Sequence, residues 1–142
     1  MVYLNKKKTV FVGIKPEGFR LNEKSVKELR FIISRENMAR KLWKKTSSQR
    51  SLSCFSSNGI NSKDGTLCSR CPDLDDCQLK LRLYFEMNNN KYCLELPGSS
   101  MENYLEYKDG INNSRLNINK IITLARVVNR GYWGEITFTP VL

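Results

Sequence analysis

The sequence predicts a mainly β domain of the α+β class, with five strands closing into a small barrel and one helix between the later strands. Three observations predict it. From Gln78 onward apolar residues alternate with polar ones, the period of a strand with one buried face. A second alternating run and two β-branched runs follow, separated by Asn- and Gly-rich turns. Between them only the segment opening at Ser99 carries helix-start signals. The 142 residues suit a single domain with its own core.

The elements follow in order. Thr9-Val10-Phe11-Val12-Gly13-Ile14 is a β-branched and aromatic run stopped by Lys15-Pro16-Glu17-Gly18, hence strand then turn. Ser25 with Glu28 three residues on fits a capping box. Val26, Leu29 and Ile33, then Met38 and Leu42 or Trp43, recur at near-helical spacing, which predicts a basic amphipathic helix. Residues 1–50 therefore read as a basic strand-helix segment. Thr46 to Ser53 is a polar link, and 51–78 form a cysteine-bearing loop. Leu79, Leu81, Leu83, Phe85 and Met87 mark a strand; Asn88-Asn89-Asn90 turns it into a partner carrying Tyr92, Leu94 and Leu96. Pro97-Gly98 ends that strand. Ser99 to Glu102 is a second capping box, predicting a helix with Met101, Tyr104 and Leu105 inward and an end near Asp109-Gly110. Ile118 to Val128 reads as a long strand of conflicting parity. After Asn129-Arg130-Gly131, Tyr132, Gly134, Ile136 and Phe138 face one way on a last strand. Five strands and one helix in this order suit a Greek-key barrel of the oligonucleotide-binding (OB) type; an open α+β sheet fits the same order.

Charge is unevenly distributed. The net charge is +10. Residues 1–50 carry 14 Lys and Arg against 4 Asp and Glu, whereas residues 51–142 carry 10 of each. The whole excess belongs to the first third, which points to a polyanionic partner contacted there. Arg40, Lys41, Lys44 and Lys45 are the cations expected to meet phosphates. No apolar run approaches the length of a membrane span. No apolar stretch follows the basic opening residues, so no secretory leader is expected and the expected compartment is the cytoplasm.

Four cysteines, Cys54, Cys68, Cys71 and Cys77, fall within 24 residues of a chain without histidine. Two thiolates three residues apart, Cys68 and Cys71, reach one tetrahedral ion without strain, and a structural zinc site needs four sulfur or nitrogen ligands. An iron–sulfur cluster accepts the same four thiolates and stays open as a second reading. An odd number of cysteines in a cytosolic chain argues against a disulfide framework. Cys93, between Tyr92 and Leu94, reads as a buried thiol.

Catalysis has little support. There is no histidine for proton transfer, no glycine-rich phosphate loop and no nucleophile beside an evident base. A binding module, not an enzyme, is the expectation. On the Leu79–Met87 strand Lys80, Arg82 and Tyr84 face away from the core, the cation-and-ring set that single-strand binders use. Trp133 on the last strand, flanked by Arg126 and Arg130, is a further stacking candidate.

The order Cys54-Phe55-Ser56-Ser57-Asn58-Gly59, Cys68-Ser69-Arg70-Cys71-Pro72, Cys77, then the basic–apolar Leu79-Lys80-Leu81-Arg82-Leu83 resembles a known group of proteins. So do Leu94-Glu95-Leu96-Pro97 and a Ser-rich helix start with a Tyr in that helix. The group is the single-stranded DNA-binding proteins of phages and mobile elements that join an OB barrel to a four-cysteine zinc knuckle. Over roughly residues 50 to 138 the resemblance implies one zinc on Cys54, Cys68, Cys71 and Cys77. It also implies a strand surface that binds single-stranded DNA in replication or recombination, in a bacterial or phage-infected cell. RNA fits the same surface chemistry, and a homodimer is a compatible assembly. The segment from Cys71 to Cys77 departs from the group in being short and acidic (Asp73, Asp75, Asp76). A zinc-containing regulator reading duplex DNA or structured RNA is the alternative, and an adaptor docking an acidic protein a third.

Overall fold

Alternation decides the N-terminal third of the chain. Leu29, Phe31 and Ile33 are buried while Arg30, Ile32 and Ser34 are exposed, a period of two that only an extended chain satisfies. The computed structural model describes residues 8–46, 49–56, 60, 62, 65, 67–70 and 77–142, with 42–46 and 49–55 described by their backbone alone. Among these, β1 (Val10–Phe11), β2 (Gly13–Lys15), β3 (Gly18–Leu21), β4 (Lys24–Val26), β5 (Glu28–Phe31), β6 (Arg35–Thr46) and β7 (Gln49–Ser56) precede β8 (Gln78–Met87) and β9 (Asn90–Leu96). Helix α1 (Gly98–Asn113), β10 (Ile122–Asn129) and β11 (Gly134–Val141) complete the order.

The expected basic helix after Ser25 is therefore strand. Its helical spacing counted Val26, Leu29 and Ile33 and passed over Phe31, whose ring stacks on Phe85 with centroids 4.2 Å apart. Ser25 and Glu28 cap nothing; they lie in β4 and β5.

The strands form three sheets, ordered β1-β9-β8-β6-β7, β11-β10-β5 and β2-β3-β4. The molecule is mainly β with one α-helix among the described residues, but the sheets do not close into the expected five-stranded barrel. One reason lies at the edge of β11. The Ile136 N–H donates to Ser100 Oγ at 2.9 Å, and its carbonyl accepts from Asn103 Nδ2 at 3.0 Å. Helix α1 thus occupies the edge that barrel closure would need for another strand.

The core lies between the sheets. Leu81, Leu83, Phe85, Leu94 and Leu96 meet Phe19, Leu29, Phe31, Ala125 and Ile136, with Tyr104 and Ile111 from α1. The β8–β9 hairpin matches expectation, and Asn88 and Asn89 hold positive φ (50° and 66°) in its two-residue turn. Helix α1 departs from it in two ways. It begins at Gly98 with no side-chain cap, because the N-cap position is Pro97, which has no side-chain acceptor, and Ser99 and Glu102 fall inside the helix. It also runs past Gly110 to bury Ile111, and it leaves Leu105 39% exposed instead of inward.

The parity conflict after Ile118 has a simple resolution. Ile118 is buried in the turn before β10, and Thr123, Ala125 and Val127 then face inward. Gly134, Ile136 and Phe138 are buried as expected; Tyr132 is not, and stands fully exposed in the preceding turn.

Two glycines have no substitute. A Cβ on Gly18 would sit 2.5 Å from the Val26 carbonyl, and one on Gly134 would sit 2.6 Å from the Lys15 carbonyl.

Candidate nucleic-acid interface

Strand pairing assembles one polar face on the five-stranded sheet. Arg35 lies opposite Tyr84, which lies opposite Cys93; Asn37, Arg82 and Glu95 form the next row, and Ala39 pairs with Lys80. On the edge strand Phe11 is beside Cys93. Because side chains alternate, this face carries Arg35, Lys41, Lys80, Arg82 and Lys91 against Glu86 and Glu95. Five cations against two carboxylates leave it positive.

Glu95 organises the middle of the face. Lys41 Nζ donates to its Oε1 at 2.8 Å and Arg82 Nε to its Oε2 at 2.9 Å. Burial alone would raise the Glu95 carboxyl, but the hydrogen bonds from Lys41 and Arg82 outweigh it and hold it below the usual carboxylate range. Arg82 is only 9% exposed, and despite the same burial these bonds keep its guanidinium charged. Lys80 stands near this triad without joining it. Burial lowers its pKa, Glu95 offsets part of that, and Lys41 adds to it.

Two rings are interleaved with these charges. The Arg35 guanidinium lies 3.9 Å from the Tyr84 ring centroid, and that of Arg82 lies 5.2 Å from Phe11, itself 55% exposed. Thr9, Ser34, Arg35, Tyr84, Glu86 and Lys91 border a shallow cleft of about 170 Å³ at one end of the face. Arg35, Lys80 and Lys91 make no ion pair within 4.0 Å among the described residues, so their charge is available to an anion. Cys93 is fully buried and its thiol is pushed up to about 11 by that burial, an inert position.

The expected binding residues thus divide. Lys41, Lys80, Arg82 and Tyr84 come together on this face. Arg40 alternates to the other side of β6. Lys44 and Lys45 belong to β6 by backbone, and their side chains lie outside the described residues. Arg126, Arg130 and Trp133 belong to the β10–β11 hairpin, where Arg126 pairs with Glu28 at 3.0 Å and Arg130 with Glu135 at 3.1 Å. Sequence reasoning missed Phe11, Arg35 and Lys91. Phe11 was legible as the outward residue between inward Val10 and Val12; Arg35 was hidden by the helical reading.

The cysteines are only partly described. Cys54 lies in β7 opposite Leu42, one residue beyond the Lys41–Phe55 pair. Cys77 directly precedes Gln78, which pairs with Lys41 on the other side of β6. The pairing therefore brings both to one level near the middle of β6, on strands two apart and so about 10 Å from each other. A shared ion with Zn–S bonds of about 2.3 Å needs a closer approach than that, which the bend at Cys77 leaves to the loop. Cys68 is buried, its N–H bonded to the Ile60 carbonyl at 2.7 Å. Cys71 lies outside the described residues, and among those described no three metal-ligating side chains gather.

Comparison with family models, curated proteins and solved structures returns no match for this chain. No helix among the described residues is long and apolar enough to cross a membrane.

Proposed function

We propose that this protein binds single-stranded DNA with little sequence preference, in the cytoplasm of a bacterial or phage-infected cell, and serves replication or recombination of a phage or mobile element. One observation carries the reading: a sheet face on which Arg35, Lys80 and Lys91 keep unpaired charge beside the rings of Tyr84 and Phe11. Cations follow a phosphate backbone, and flat rings stack on unpaired bases at about 1–3 kcal/mol per base. A duplex hides its base faces from such a surface, which favours single strands. Glu95 holds Lys41 and Arg82 at fixed positions, so their side chains lose little further freedom when a phosphate approaches.

Structural zinc belongs to the same proposal. Cys54, Cys68, Cys71 and Cys77 would hold it, with the loop before β8 bringing Cys77 toward Cys54 across the middle of β6. When bound, the ion would tie the 57–77 segment to the sheet that carries Lys80 and Arg82. It would take no part in chemistry, since four thiolates close its shell.

Binding to single-stranded DNA, duplex DNA and RNA of the same sequence tests the proposal. The expectation is preference for single-stranded DNA with similar affinity across sequences. Preference for duplex or structured RNA would transfer the reading to a regulator, and no salt-sensitive binding would leave an adaptor for acidic proteins.

A further inference from the structure

The tip of the β10–β11 hairpin presents two aromatic rings for which the fold has little use. Tyr132 is 101% exposed and Trp133 47% exposed. Neighbouring bonds hold the turn in place. The Arg130 N–H bonds to the Trp133 carbonyl at 2.9 Å, the Gly131 N–H to Asn129 Oδ1 at 2.8 Å, and Arg130 pairs with Glu135 at 3.1 Å. Rings held on an ordered turn lose little entropy when they meet a partner.

The tip also lies within reach of the charged face. Gly134 packs so closely on β2 that a Cβ there would lie 2.6 Å from the Lys15 carbonyl. Lys15 is four residues from Phe11, and four residues of extended chain span at most about 14 Å. Phe11 is the exposed ring at the edge of the cationic sheet face. Lys15 is itself exposed and has no carboxylate partner among the described residues.

We propose that the binding track leaves the sheet across Phe11, passes Lys15 and ends on the hairpin tip, where Tyr132 and Trp133 stack on bases of the same single strand. The proposal rests on the single-strand reading above and adds a second stacking station, and so a longer site. A short oligonucleotide fills the sheet face alone; a longer one reaches the tip.

The test uses the full chain and oligothymidylates of about 4 and about 16 nucleotides, the range of single-strand site sizes. In W43F the remaining tryptophan is Trp133. Its emission is expected to be quenched by the long strand and left unchanged by the short one. Tyr132→Ala removes a ring with no packing partner and keeps the fold. It is expected to weaken binding of the long strand about 5- to 150-fold, the loss of one stacked base, without changing affinity for the short one. If the long strand binds with Trp133 emission unchanged and Y132A equal to wild type, the track ends on the sheet and the inference falls, while the single-strand reading stands. If neither length binds the wild-type protein, both fall.

Discussion

At Glu95 one carboxylate serves two cations, Lys41 and Arg82, and is only 19% exposed. Glu95→Gln keeps the shape but leaves both cations without their counter-charge. It is expected to lower unfolding free energy near neutral pH by about 1–3 kcal/mol, the cost of a buried polar group losing its partner. The pH dependence has a definite sign. The folded-state carboxyl titrates below its ordinary value of 4.5, so its contribution is complete above that value and is lost as pH falls through the folded-state one. Denaturant unfolding followed from about pH 7 down to pH 3 should show a steeper acid loss for wild type than for E95Q.

Lys80 behaves oppositely. Its pKa is lowered, so carrying the proton costs the fold stability at neutral pH, and the cost lifts only as pH rises through the folded-state value. Lys80→Met is expected to raise the melting temperature while weakening single-strand binding severalfold. A variant that loses both stability and binding would show that Lys80 holds the sheet instead of serving a ligand.

Elements were legible in the sequence to different depths. The β8–β9 hairpin was, because five alternating apolar residues and an Asn-rich turn admit one reading. Residues 24–46 were not. Leu29 and Phe31 belong to β5 and Ile33 continues their alternation just past it, but Ser25 and Glu28 imitate a helix start, and local capping signals yield to packing against Phe85. That error hid Arg35, although Lys80, Arg82 and Tyr84 were correctly read as one outward set. Nothing local to Glu95 shows that it pairs with Lys41, 54 residues away.

The role of Ser100 is likewise tertiary. Its hydroxyl accepts the Ile136 N–H on the edge of β11, so Ser100→Ala leaves a buried donor unpaired and is expected to cost about 1–3 kcal/mol in denaturant unfolding. Further along that edge, Pro140 lacks an N–H and blocks strand addition.

Over the whole molecule, the basic stretch from Val10 to Thr46 runs through the sheets and forms no separate arm among these residues. Arg35 and Lys41 on β6 reach the same face as Lys80 and Lys91. The cysteine loop leaves β7 opposite Arg40 and re-enters β8 opposite Lys41, in the middle of β6, so a zinc there would brace this face. Metal content by plasma emission is expected to give one zinc per chain, with C71S lowering both zinc content and melting temperature.

The salt dependence of single-strand affinity tests the central claim most directly, measured for wild type and for the double variant R35Q/K80Q. Each phosphate contact adds about 0.7 to the slope of log affinity against log salt on a single strand. The double variant should therefore lose about 1.4 of that slope with its fold intact. An unchanged slope, or a wild-type protein that ignores single strands at low salt, would contradict the account.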